Sequence, residues 1–233
     1  ANQLGLRTVA PAYGTESLTA TIEAGCGGIE HGTRYDDTVI ALMADRGTYL
    51  DPQIGLLWEN YAEHKEAFLG RGNYTEEGFA LMEQARVTGY ETFQRTLAHG
   101  GVRVVYGTDA VAGAHGRNAE EFVARVRYGM QDPMDAIISA TSRAAEALGL
   151  ADQIGTLAPG FAADLVAVAG GVDDALGPHR LHRAVGEQGD PGRVLGRDPR
   201  HGAPRAVEAA GHDHAPAGRA LAVVEDGEAL DAG

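Results

Sequence analysis

A parallel α/β fold is predicted for this 233-residue chain. Three observations predict it. Short apolar segments alternate with segments of helical periodicity. The apolar segments are nearly continuous runs, as in strands covered on both faces. Functional-looking polar residues follow those runs, at what would be the strand ends.

The elements follow in order. Residues 7–12 (RTVAPA) are predicted as a strand, weakened by Pro11, which lacks an N–H for a ladder. Residues 15–25 are predicted as a helix, with Thr15 as N-cap, Leu18 and Ile22 on one face and Gly25 as stop. A second strand is expected at 28–31, a second helix at 36–46 with Gly47 after it, and a third strand at 48–50. An excursion carrying Trp58, Tyr61, Phe68 and Tyr74 comes next. A long helix is expected over 75–99, with a break near Gly89. Residues 102–106 (VRVVY) form a fourth strand, ending at Gly107-Thr108-Asp109. Helices follow at 118–129 and 133–148, the second with Pro133 in its first turn. A last strand is expected at 163–168, after the Pro159-Gly160 turn. Four strand–helix units of this kind suit a small open sheet or half of an eight-fold barrel.

Composition excludes several classes. Nineteen basic and 33 acidic side chains leave a formal net charge of −14. Phosphate binding needs clustered Lys and Arg, so no nucleic-acid partner is expected. No apolar run approaches the roughly 18 residues of a membrane span. Cys26 is the sole cysteine, which excludes an intrachain disulfide and suits a reducing, cytoplasmic compartment. Lys65 is the sole lysine.

From Ala162 onward the chain uses ten residue types only: Gly, Ala, Val, Leu, Pro, Asp, Glu, His, Gln and Arg. All ten can be encoded by triplets beginning with G or C. Strands and cores ordinarily draw on Ile, Thr and aromatic residues, which are missing here. Residues 171–233 therefore read as a low-complexity tail, either an out-of-frame stretch of a GC-rich gene or a disordered extension. His212-Asp213-His214 lies in it without an apolar strand leading into it, and reads as chance.

Two motifs sit at strand ends: Ile29-Glu30-His31-Gly32 and Tyr106-Gly107-Thr108-Asp109-Ala110. An imidazole and a carboxylate can serve as a zinc pair or an acid–base pair. The plainer alternatives are a buried histidine bonded to backbone and a turn aspartate. His64 and His99 fall on helical stretches and read as surface or packing residues.

Residues 12–33, 103–121 and 133–168 together resemble the C-terminal half of a metal-dependent amidohydrolase, of the imidazolonepropionase-like and Xaa-Pro dipeptidase branch. The ordered set IEHG, GTDA, ATSRAAEALGL and GTLAPGFAADLVAV carries the resemblance. It implies strands five to eight of a (β/α)8 TIM-type barrel in residues 1–150. Residues 151–170 would return to a small β-sandwich. It implies hydrolysis of an amide, peptide or cyclic-amide C–N bond by metal-activated water, zinc being the expected divalent metal. His31 would be the metal ligand ending strand six. Asp109 would bind metal and act as general base. Tyr13, His115 and Arg117 would contact a small amide or dipeptide substrate, Arg117 by gripping a carboxylate. Self-association is a further expectation.

The sequence departs from that pattern in two respects. The paired histidines of strand one and the bridging lysine of strand four have no counterpart, and Lys65 lies in the wrong place. Pro11 stands where a strand-five histidine is expected. The chain is accordingly expected to be incompetent alone. A metal-free binding relative and a mononuclear, deaminase-like member are the alternatives.

Overall fold

The computed structural model describes residues 2–162 and two strands at 193–197 and 204–208. After a 3-10 turn at Asn2–Leu4, the elements run β1 (Val9–Gly14), α1 (Thr15–Glu23), β2 (Gly28–Arg34), α2 (Asp37–Arg46) and β3 (Tyr49–Asp51). They continue with α3 (Leu56–Glu63), α4 (Lys65–Phe68), α5 (Glu76–His99), β4 (Arg103–Val104), α6 (Glu120–Arg127), α7 (Pro133–Ala140) and α8 (Ser142–Leu148). The last two strands are β5 (Arg193–Arg197) and β6 (Pro204–Glu208).

Strands β1 to β4 form one sheet in sequential order, with every pair parallel. Sequential order is the winding of a barrel. A doubly wound sheet would reverse direction at a switch point. Pro11 sits in β1 opposite Glu30. It is tolerated there because β1 borders the sheet, where a missing donor breaks no interior ladder.

The strands alternate. Ala12, Ile29, Leu50 and Val104 are buried against the helices. Leu18 and Ile22 of α1 and Val39, Ile40 and Met43 of α2 meet the first three of them in one core. Each such side chain contributes about 1.5–3 kcal/mol of burial. A smaller cluster joins Val104 to Ile54, Tyr90 and Phe93. The opposite face carries Val9 and Tyr13, which are 65% and 54% exposed. A cavity of about 410 Å³ lies on that face, bordered by Val9, Gly28, Glu30, Tyr49, Asp51 and Val105.

Helix ends follow local chemistry. Asp36 accepts from the Val39 N–H at 3.2 Å, Thr75 from Gly78 at 3.0 Å and Asp132 from Asp135 at 3.0 Å, as N-caps do. Gly47 closes α2 at φ 63°, in the left-handed conformation that costs glycine least.

Several expectations need correction. Gly14, not Thr15, is the N-cap of α1. The Ser17 hydroxyl bonds both the N–H and the carbonyl of Gly14. Gly89 does not break α5, which runs unbroken for 24 residues. It lies buried against β2, where an added Cβ would make ordinary contact, 3.7 Å from Thr33 Cγ2, and packing of α5 on the sheet holds the helix through it. The helix expected over 133–148 is two helices. Thr141 leaves helical geometry at φ −119°, ψ −99°, while its hydroxyl bonds the Ile137 carbonyl at 2.8 Å. The reading of 171–233 as a low-complexity tail is not among these corrections; within it β5 and β6 pair antiparallel. The strand expected at 163–168 and the His212-Asp213-His214 triplet lie outside the described residues.

Candidate active site

The site is built where β2, β3 and β4 end. Four non-glycine residues among those described adopt positive φ, and three of them stand here: His31 (74°), Gln53 (46°) and Asp109 (44°). Such a conformation costs of order 1–3 kcal/mol and persists where surrounding packing enforces it. At His31 it interrupts the strand alternation. The imidazole then stacks on the Tyr13 ring at 4.7 Å with planes 10° apart.

Acidic groups lie beside the imidazole. Glu30 and Asp51 are register partners on β2 and β3. The Gln53 amide nitrogen donates to both, at 2.5 Å to Glu30 and 2.9 Å to Asp51. Burial and the neighbouring Asp51 push the Glu30 carboxyl up to about 7, with Asp109 adding to the rise and Gln53 opposing it. Burial holds the His31 imidazole below its ordinary value, against the opposing pull of Asp109 and Asp51.

Asp51 is held from behind. Arg125, fully buried, donates to Asp51 at 3.0 Å, to the Val105 carbonyl at 2.7 Å and to Glu121 at 3.3 Å. Glu121 in turn accepts the N–H groups of Ile54, Gly55 and Leu56 at 2.7, 2.9 and 2.9 Å. That carboxylate fixes the loop leaving β3. Gly107 completes the enclosure. A Cβ there would fall 1.8 Å from Asp51 Oδ2, so the close approach of the segment after β4 to Asp51 requires glycine.

The structure unites three of the five predicted site residues. Tyr13, His31 and Asp109 form one cluster, and the Asp109 charge acts on Tyr13, His31, Glu30 and Tyr61. Tyr61 brings the aromatic excursion to the same mouth. Its hydroxyl bonds that of Tyr74 at 2.9 Å. His115 is exposed on the loop after β4. Arg117 is already occupied: it pairs with Glu120 through two nitrogens, at 3.0 and 2.7 Å, and with Glu63 at 2.8 Å. A substrate carboxylate would have to displace those acids. His64 and His99 are exposed and bond the carbonyls of Asn60 and Gly100 at 3.0 and 2.9 Å, as surface residues do. Lys65 pairs with Glu76.

Sequence reading missed Glu30, Asp51, Gln53, Glu121 and Arg125 as members of the site. A signal existed for three of them. Glu30 interrupts an apolar strand, and Glu121 and Arg125 stand four apart on one helix, where side chains meet. Nothing in the sequence marks Gln53.

His31 and Asp109 are two metal donors, whereas catalytic zinc sites use three protein ligands. Among the described residues no group of three or more His, Cys, Asp or Glu side chains is placed to hold a metal ion. The described donor set therefore does not by itself fit a metal. Pro11, facing Glu30 in the register, adds no donor.

Comparison with known proteins bears on this site. The model of the amidohydrolase family matches residues 1–195. An uncharacterised protein of Mycobacterium tuberculosis is 37% identical over 131 residues, 56% of this chain and 34% of that protein. The ochratoxinase of Aspergillus niger is 29% identical over 160 residues, 67% of this chain and 31% of that one. Among solved structures, a Xaa-Pro dipeptidase with bound methionine in its active site superimposes with TM-score 0.60 and 32% identity, over 69% of this chain and 38% of that one. A prolidase complexed with N-methylphosphonate-L-proline gives TM-score 0.60 at 26% identity, over 69% and 38%. The chain spans about a third of the length of the curated relatives it matches.

Proposed function

Because the chain belongs to the metal-dependent amidohydrolase family, whose relatives here share a TIM-barrel type of fold, we propose that its strand ends form part of a centre hydrolysing C–N bonds of small amides or dipeptides. The carrying observation is the convergence on Asp109. Its carboxylate acts on side chains from β1, β2 and α3 at once. In this reading Asp109 accepts the proton of the attacking water and returns it to the leaving amine. Asp109 and His31 would be this chain's contribution to the family's divalent metal, zinc first, and further ligands are needed. Tyr13, stacked on His31, lines the approach. His115, exposed on the loop after β4, is a further candidate for substrate contact.

The four strands would be strands five to eight of the barrel, with 151–170 returning to a sandwich. Two findings support reading the chain as part of such a barrel: the match to a third of the relatives' length, and a donor pair where a full set is required. The chain alone would then not turn over substrate. The test is a panel of Xaa-Pro dipeptides and N-acyl amino acids, with zinc added. The purified chain should show no hydrolysis. Grafted in place of the corresponding segment of the Xaa-Pro dipeptidase, residues 1–162 should support it, and Asp109→Asn should lower that activity at least about 100-fold. Chelator-sensitive turnover by the chain itself would overturn the partial-site reading. A working graft indifferent to Asp109→Asn would overturn the role of Asp109.

One observation favours a second reading, a metal-free binding relative. Pro11 occupies a strand position where the resemblance expects a histidine. Calorimetry with zinc separates the two: a graft that binds substrate analogue but no zinc supports the binding relative.

A further inference from the structure

Two helical stripes face each other across a cavity of about 290 Å³. Trp58, Tyr61, Ala62 and Lys65 form one, along α3 and into α4. Glu76, Phe79, Ala80 and Glu83 form the other, on α5. Both sets stand at i, i+3, i+4 and i+7, the spacing of a single helix face. Aromatic rings make the walls, and Tyr61 and Phe79 are joined through Tyr74, at 5.4 and 6.2 Å between centroids. Ala62 and Ala80 are the short members of the two stripes and leave the gap open. The helices are not free to close it. Glu121 holds the start of α3 by the three N–H groups already described. Asn60 ties the middle of α3 to the Ala112 carbonyl at 3.1 Å, and Tyr90 and Phe93 anchor α5 in the core.

Charge selects the ligand. The Lys65 ammonium stands 5.3 Å from the Phe79 ring centroid, so a cation already sits against the apolar wall and would repel a second. Its partner Glu76 lies outward, 71% exposed against 39% for Lys65. An exposed pair of this kind is worth less than about a five-fold change in an equilibrium, so a ligand carboxylate can share or take the ammonium. Lys65 has the donors for it: three N–H groups, of which Glu76 accepts one. Arg86, at the far end, is held by Glu83 through two nitrogens. Size fits as well, since a cavity of about 150 Å³ already takes a benzene ring. We propose that this cavity binds a small aromatic carboxylate, its ring between the α3 and α5 stripes over Ala62 and Ala80, its carboxylate on Lys65. The proposal rests on neither hydrolysis at Asp109 nor metal.

The test uses the full 233-residue chain near neutral pH. Trp58 is the sole tryptophan, so its emission, excited apart from tyrosine, reports on this cavity. The probe is phenylpropionate. Propionate lacks its ring, and phenylpropionamide lacks its charge. Phenylpropionate should change the emission saturably, with a Kd of order 1 mM for so small a ligand. Propionate should not saturate, and the amide should bind at least about three-fold more weakly than the acid. Ala80→Leu fills the gap from an exposed position and should abolish saturation while keeping the urea midpoint. Ala62→Leu, also exposed, replaces it should that variant fail to fold. Lys65→Gln should lower the acid to the affinity of the amide and leave the amide unchanged. A lack of saturation at about ten times the expected Kd would overturn the proposal. Binding indifferent to the filled gap would place the ring elsewhere and overturn it too. Equal binding of acid and amide would overturn the ligand class. A hydrolysis assay that fails leaves this inference standing, and its own failure leaves Asp109 unaffected.

Discussion

One face of the four-stranded sheet is apolar and closed, and the other mixes apolar and acidic residues around an open cavity, although alternate residues of the same strands make both. Ala12, Ile29, Leu50 and Val104 meet helices and need no particular partner. Glu30 and Asp51, on the opposite face, need specific ones. Asp51 has them, in Arg125 and Gln53. Glu30 accepts from the Gln53 amide, and its carboxyl is pushed up to about 7. The difference teaches that burial is cheap where the demand is non-directional. It is costly where each polar atom must find a partner.

That comparison is sharpest at Arg125. Arg125→Ala should strand Asp51 and Glu121 as buried, unpaired acids and lower stability by about 3–5 kcal/mol, read from urea denaturation. A loss below about 1 kcal/mol would mean that the polar side does not depend on its ion network. On the closed face, Leu50→Ala should lose about 2–5 kcal/mol as a cavity. It should leave the His31 ring NMR signals unchanged, and shifted signals would show that the two faces are not independent.

Gly107→Ala comes next. The added Cβ must displace Asp51, for about 1–3 kcal/mol of overpacking. Its urea midpoint should therefore fall, and an unchanged midpoint would mean that Asp51 is less confined than its contacts imply. The smallest effect is expected at Glu30. The folded chain holds this proton more tightly than the unfolded chain, up to about 7 against 4.5. Glu30 thus contributes stability that is fully present below about pH 4.5 and is lost as pH rises through about 7. Glu30→Gln stays neutral and keeps an acceptor for Gln53. It should match the parent in acid and exceed it above pH 7 by about 1 kcal/mol, after allowing for solvent screening of a half-exposed group. Parallel stability–pH curves for the two proteins would refute this.

Much of the fold was legible because it rests on local patterns. Apolar runs marked all four strands, and Asp36, Gly47, Thr75 and Pro133 marked helix ends. Where reading failed, distant contacts had intervened. Gly89 looked like a helix breaker until β2 was seen to pack against it. Thr141 looked helical until its hydroxyl turned back on Ile137. No helix among the described residues is long and apolar enough to cross a membrane.

The candidate site was legible in part for the same reason. IEHG and GTDA carry His31 and Asp109 in their own letters, and Tyr13 lies beside a strand end. Arg117 is expected to grip a substrate carboxylate from its place on a strand-end loop, and the contact the sequence does not announce is that Glu63, 54 residues away, shares it with Glu120. By itself the sequence determined the alternation of strands and helices, the family pattern and the two motifs. These depend on residue type at short spacing. Tertiary structure alone decided that Gln53 links Glu30 to Asp51, that Arg125 reaches across 74 residues to hold it, and that Gly107 must be glycine. Such pairings depend on which strands become neighbours, and sequence separation carries no record of that distance.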